Sequence, residues 1–318
     1  MPLIGRSDLE TFPVVLGGNT FGWTSDDAGS FAVLDAFTAA GGNHVDTADG
    51  YSHWVPGNSG GESEEVLGRW FARGNRDRVT LATKVSSHPG FTGLVPETIS
   101  AAAEASLRRL GTDRIDLYYA HYDDPDTPIE ESVAAFDALV RAGKVRHVGL
   151  SNFSPDRLEE WVAVATATGA APPVAFQLHY NLLHRAGYER EFAPVAARHG
   201  IGVLPYFSLA AGLLTGKYTH AEQVAGTDRE RQMKAYLHEA TFDVVGALVE
   251  VADGLGAEPA SVALAWLRTR PDVVAPVASA RNPDQLAPLL AAADLELPAD
   301  AVERLDRASD PAGADAGR

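Results

Sequence analysis

Short apolar runs alternate with longer stretches of helical periodicity along nearly the whole chain. The runs lie at residues 14–16, 44–46, 79–84, 115–121, 148–151, 175–178, 201–205 and 273–277. They are too short for ordinary helices and are bounded by turn residues, as strands buried on both faces are. Between and after them, helices are predicted at 28–40, 62–71, 96–110, 128–142, 154–167, 189–199, 242–255 and 283–292. The punctuation agrees: three glutamates open the second helix, Pro96 opens the third and Gly111 stops it, Gly143 stops the fourth, and Ser154-Pro155 caps the fifth. Eight β-then-α units with no linker-like break predict an α/β fold, a single (β/α)₈ barrel over residues 1–308. The competing architecture is a doubly wound open sheet. Its dinucleotide-binding version would need Gly-x-Gly-x-x-Gly after the first run, and none is there. The Asp/Ala/Gly-rich tail, 309–318, is expected to fray.

In such a barrel the C-terminal ends of the strands carry the chemistry. The longest connections, 52–61, 85–95, 122–127 and 206–238, all follow those ends. So do Asp46, Lys84, His121, Ser151, Asn152 and Gln177, with Tyr51 five residues past Asp46. Singly, each has a bland reading: a strand cap, a snorkelling lysine, a satisfied core histidine, a packed phenol. Converging on one rim, they suit proton donation to a carbonyl oxygen. A phenol with an ordinary pKa near ~10 is a poor acid at neutral pH, and a nearby ammonium lowers that value. Lys84 would supply the charge and Asp46 would keep Lys84 protonated and aimed. His121 would orient the carbonyl. No nucleophile is needed if a hydride arrives from a cofactor.

Composition narrows the partners. Hydrophobic residues make up 45%, ample for a large core, while the net charge is −17 and the pI about 4.9. That surface disfavours nucleic acid and anionic membrane, and leaves a small molecule as the expected partner. No cysteine is present, which removes disulfides, thiolate metal sites and cysteine nucleophiles. With no leader-like apolar segment at the start and no apolar run of about 18 residues, a cytoplasmic location is expected. Lysine occurs only at 84, 144, 217 and 234.

The blocks Asp46-Thr47-Ala48-Asp49-Gly50-Tyr51, Ala82-Thr83-Lys84, Tyr118-Tyr119-Ala120-His121 and residues 143–153 together resemble the aldo-keto reductase superfamily. Residues 213–218 and a helix at 260–267 are similar to its microbial-type and potassium-channel-subunit-like branches, and the likeness covers about residues 3–306. The resemblance implies an NADPH-dependent carbonyl reductase with Tyr51 as general acid, tuned by Lys84 and Asp46, and His121 holding the carbonyl. It implies a nicotinamide carboxamide held by Ser151, Asn152 and Gln177, with Tyr206 stacked on the ring. The phosphate path would run along Phe207, Ser208, Leu209, Gly212, Leu213, Gly216 and Lys217, and Gly18 and Asn19 are also expected to touch the cofactor. Ser279, Arg281 and Gln285 match the adenosine-phosphate site, and Arg281 favours NADP(H) over NAD(H) by pairing with a 2′-phosphate. Two positions depart from the family pattern: Phe207-Ser208 stands where Ser-Pro often follows the stacking aromatic, and Leu289 stands where an adenine-contacting Asn is usual.

Trp23, Trp54, His88 and Tyr122 are expected to wall the substrate pocket, and suit aromatic, terpenoid or sugar-like carbonyls equally. Two other readings compete. One is an NADPH-binding regulatory subunit on the same fold. The other is a barrel metal hydrolase using His44, Asp46 and His121; it lacks the His-x-His pair of such sites, so no metal is expected.

Overall fold

The computed structural model describes residues 1–227 and 230–310, without the side chain of residue 239. The tail expected to fray lies outside the described residues from 311 onward. Eight parallel strands form one sheet: β1 (Val15–Gly17), β2 (His44–Asp46), β3 (Thr80–Val85), β4 (Ile115–Ala120), β5 (Val145–Ser151), β6 (Pro173–Gln177), β7 (Gly202–Val203) and β8 (Val277–Ala278). They pair in chain order, and β8 returns to β1 through Val15↔Val277 and Leu16↔Ala278. The seam between β7 and β8 is closed by Val274 N donating to Val203 O at 2.9 Å and Val277 N to Pro205 O at 2.8 Å. The sheet is therefore a closed (β/α)₈ barrel.

The helices α1 (Asp27–Ala39), α2 (Glu62–Trp70), α3 (Pro96–Leu110), α4 (Ile129–Arg141), α5 (Pro155–Thr168) and α6 (Ala193–His199) follow the first six strands. Then come α7 (Glu239–Leu255), α8 (Pro259–Arg268), α9 (Pro283–Asp294) and α10 (Ala299–Ala308). Three differences from the periodicity have local causes. The helix expected from 189 begins as α6 only at Ala193; Pro194 in its first turn has no N–H to bond backward, and Tyr188–Phe192 winds more loosely as a π turn. The strand expected at 273–277 is reduced to Val277–Ala278 plus a single bridge from Val273 to Val203, because Pro276 offers no ladder donor. The 85–95 connection holds a small antiparallel hairpin, Ser87–His88 against Phe91–Thr92.

Strand alternation sorts the core into two layers. Leu81, Val85, Tyr118, Val148, Leu150 and Phe176 face outward into the large cluster beneath the helices. Val15, Ala82, Leu117, Tyr119, Ala175 and Val277 face inward and fill the barrel, closed below by Ile4 and Leu9 of the N-terminal turn. Tyr119 fits because Gly149 faces it; a Cβ there would stand 2.4 Å from the ring. Two residues above Ala82, Tyr119, Gly149 and Ala175 come Lys84, His121, Ser151 and Gln177. The same period that fills the barrel thus delivers polar side chains to its mouth.

Candidate active site

At that mouth Lys84 is fully buried and Asp46 nearly so. Lys84 Nζ donates to Asp46 Oδ2 and to Thr47 O, each at 2.6 Å, and to the Tyr51 hydroxyl oxygen at 3.2 Å. All three ammonium hydrogens are accounted for. Gln177 Nε2 donates to the other Asp46 oxygen at 2.9 Å, so the carboxylate is held at both ends. Burial lowers the Lys84 pKa and Asp46 opposes that fall.

Tyr51 departs from expectation in one respect. Its pKa is raised well above the usual value, first by burial and then by the charge of Asp46. The neighbouring ammonium does not win, because Asp46 at 2.6 Å already neutralises it. The phenol keeps its proton, and its oxygen already accepts from Lys84, so its O–H can point at an incoming acceptor. His121 lies across from it, ring centroids 6.2 Å apart, and is held neutral by burial and by the Lys84 charge. His121 Nδ1 meets Ser87 Oγ at 3.0 Å, which leaves Nε2 for a ligand. A carbonyl oxygen placed between Tyr51 and His121 would meet two neutral groups that can each donate a hydrogen bond.

The remaining expected residues follow the C-terminal ends of β1, β5, β7 and β8. Asn152, at a left-handed φ of 57°, donates to His121 O at 2.9 Å and to Ser151 Oγ at 3.0 Å, and accepts from Tyr206 OH at 2.6 Å. Ser279 Oγ donates to Asn19 Oδ1 at 2.6 Å, across the β8–β1 side, beside Gly18 and its contact with Asp46 O at 2.7 Å. Phe207 is left-handed (φ 51°), Ser208 Oγ bonds Pro205 O at 2.9 Å, and Leu209 leads into a tight turn through Ala210–Thr215. Ala210, Ala211, Gly212 and Gly216 also have positive φ there, a bend of the kind that turns backbone amides outward. A Cβ on Gly212 would lie 3.7 Å from Lys217 Nζ, so a cation stands over the turn; Leu213 is buried beneath. The Arg281 amide donates to Gln285 Oε1 at 3.1 Å, just before Asn282 caps α9. Leu289, in place of the usual Asn, is buried in the core.

Trp23 and Trp54 meet edge to face at 5.6 Å, Trp54 reaches Tyr51 at 6.3 Å, and Tyr122 stacks on His121 at 4.7 Å. Trp54 and Tyr122 remain about half exposed, 45% and 50%, so they form an open apolar rim. His88 packs instead on Phe91 at 5.1 Å and against the Gly60 backbone. Its neighbour Ser87, not singled out from the sequence, is the residue that reaches His121. A serine in a polar loop carries no pattern of its own. Only its place after a strand of alternating faces could have drawn attention to it.

His44, required by the metal-hydrolase reading, bonds Thr11 Oγ1 at 3.0 Å at the start of its strand, away from the mouth. Among the described residues no group of three or more His, Asp or Glu side chains is arranged to hold a metal ion. None of the described helices is long and apolar enough to cross a membrane.

Comparison with known proteins shows the family. The model of the Aldo/keto reductase family matches residues 13–310. "Uncharacterized oxidoreductase YrpG" of Bacillus subtilis is 34% identical, over 95% of this chain and 94% of its own. "Norsolorinic acid reductase stcV" of Emericella nidulans is 33% identical, over 93% of this chain and 77% of its own. "Putative voltage-gated potassium channel subunit beta" of Schizosaccharomyces pombe is 32% identical, over 89% and 85%. The chain belongs to the aldo/keto reductase family, oxidoreductases that work with a nicotinamide cofactor.

Proposed function

We propose that the protein is a cytoplasmic NADPH-dependent reductase that converts an aldehyde or ketone to an alcohol, with Tyr51 as the proton donor. The observation that carries this reading is Lys84 Nζ, shared between Asp46 Oδ2 at 2.6 Å and the Tyr51 oxygen at 3.2 Å. When bound, the nicotinamide supplies the hydride. The chain's own residues do the rest. His121 and Tyr51 grip the carbonyl oxygen; as negative charge develops there, Tyr51 passes its proton across. The phenolate left behind faces the Lys84 ammonium, and Asp46 and Gln177 keep that ammonium from turning away. Asn152, tied to His121 O and Tyr206, would hold the carboxamide edge beside them.

The residues present fit a phosphorylated dinucleotide. In a chain of net charge −17, Lys217 over the Gly212 turn and Arg281 ahead of α9 supply cations on the β7–β8 side. Arg281→Ala is expected to raise the KM for NADPH by about 10- to 100-fold, the worth of a charge-assisted pair, and to change that for NADH far less. Equal losses with both cofactors would remove Arg281 as the 2′-phosphate partner.

The test of the function is NADPH oxidation against a panel of aldehydes and ketones, alongside Tyr51→Phe. The wild-type protein should turn over several aromatic carbonyls, because the Trp23–Trp54–Tyr122 rim is apolar and open. Tyr51→Phe should bind NADPH normally and lose at least about 100-fold in turnover. Tight NADPH binding with no turnover of any carbonyl would instead favour the reading as an NADPH-binding subunit; the Schizosaccharomyces pombe relative is named as a potassium channel subunit.

A further inference from the structure

Asp49 lies in the same turn as Asp46 and Tyr51, yet the reduction scheme gives it no task. It is fully buried, and its Oδ2 has no hydrogen-bond partner among the described residues. Its Oδ1 meets Ser87 Oγ at 3.1 Å, and the same Ser87 Oγ meets His121 Nδ1 at 3.0 Å. The chain Asp49–Ser87–His121 is held tightly: a Cβ on Gly50 would stand 2.5 Å from Ser87 Oγ and 2.6 Å from Ser87 O. Only glycine lets the turn approach the hairpin this closely. A hydroxyl has one hydrogen, so Ser87 can donate to Asp49 or to His121, not to both.

Building on the proposed reductase reading, we propose that Asp49 and Ser87 are positioning residues that set which nitrogen of His121 carries the proton. With Asp49 protonated, its O–H donates to Ser87, Ser87 donates to His121 Nδ1, and the neutral ring carries its hydrogen on Nε2. That nitrogen then donates to a carbonyl oxygen. With Asp49 ionised, its proton has gone to solvent and the Ser87 hydroxyl turns to the carboxylate. The ring proton moves by exchange with solvent from Nε2 to Nδ1, where it donates to Ser87 Oγ. Nε2 is then an acceptor, suited to an alcohol hydroxyl and unsuited to a carbonyl. The relay favours reduction on the acid side and alcohol binding on the basic side.

The surroundings place the changeover near neutrality. Facing Asp49 are Glu64 from α2, paired with Arg109 of α3 at 2.6 Å, Lys84 from β3 and Tyr118 from β4. Burial first, and Glu64 second, raise the Asp49 pKa to about 7; Ser87, Arg109 and the Gly50 amide only partly counter them. His121 stays neutral through this range, so its change is one of tautomer, not of charge.

The test is nitrogen NMR on apo protein labelled with ¹⁵N-histidine, with a His121→Gln sample to assign the ring. The wild-type ring should pass from the Nε2–H to the Nδ1–H form between about pH 6 and 8. Asp49→Asn, whose amide donates like the protonated acid, should hold Nε2–H throughout, and in Ser87→Ala the ring should stop following pH. A wild-type ring that keeps one tautomer, or an Asp49→Asn or Ser87→Ala ring that switches as wild type does, overturns the relay. In turnover, wild-type kcat/KM for reduction should fall up to about tenfold per pH unit above 7, and Asp49→Asn should lack that break. Because the spectra need no substrate, they decide the relay even if the protein reduces no carbonyl tested.

Discussion

Replacing Lys84 with methionine is expected to lower carbonyl reduction at pH 7 by about a thousandfold or more, within the range that acid–base groups supply. The side chain is similar in length and loses only its charge and donors. Tyr51, already raised well above its usual pKa by burial and by Asp46, would lose the Lys84 ammonium that donates to its oxygen at 3.2 Å. The phenolate formed in the transition state would then stand beside a carboxylate with nothing to balance either. The loss should appear mainly in kcat, since the carbonyl contact proposed for His121 is untouched. Wild-type-like turnover would sink the assigned roles. The same variant leaves Asp46 buried without its partner, which costs about 3–5 kcal/mol. Adding Asp46→Asn removes that charge, so the double variant should recover stability in urea but not activity. That split distinguishes a lost proton-transfer site from a damaged fold.

The second large effect is on stability in acid. His44 is 1% exposed, its Nδ1 bonded to Thr11, and burial lowers its pKa from 6.5 to about 4. Between those values the unfolded imidazole takes a proton and the folded one does not. The contribution is therefore full above pH 6.5 and is lost as pH falls toward 4. At about 1.4 kcal/mol per pKa unit, the loss is on the order of 3 kcal/mol. His179, lowered to about 3 by burial, and His121 act in the same sense. Asp49 acts in the opposite one: its raised pKa lets the folded state hold a proton from about 4 to about 7, so its contribution is lost as pH rises across that window. The histidines outnumber it, and the protein should weaken from pH 6.5 to 4. Urea unfolding of His44→Gln over that range should show a pH dependence shallower by roughly 3 kcal/mol. An identical pH dependence in variant and wild type would contradict the account of His44.

The sequence carried the barrel because a strand buried on both faces and a helix with one apolar stripe leave different periods, and both periods were strong from residue 14 to residue 292. Asp46, Lys84, His121 and Gln177 were legible for the same reason. They interrupt apolar runs at the ends where interior positions run out of barrel to fill. What the pattern could not show was side-chain partnership across loops. Gln177, expected at the nicotinamide, also donates to Asp46 across the barrel, a pairing no local pattern shows. Ser87 sits in a hairpin whose two-residue strands are too short to leave a period. The strands at β7 and β8 are shorter than their apolar runs, because Pro205 and Pro276 read as apolar yet have no N–H for a ladder. Helix α10 was missed. It is only ten residues long, and its apolar stripe is narrow: Leu305 is buried and Ala301 and Val302 pack partly beside it, amid charged residues.

The inward residues and the rim belong to different parts of the chain, and that separation has an evolutionary meaning. Lys84 and Gln177 are fixed by strand register, since a shift of one residue would turn them into the helix layer. Trp23, Trp54 and Tyr122 hang from connections that no ladder constrains. Descendants of such a chain can exchange one loop aromatic for another without disturbing the strand-borne residues to which proton transfer is assigned above. Chemical conservatism and substrate novelty can then be inherited independently, one written in strands and the other in loops.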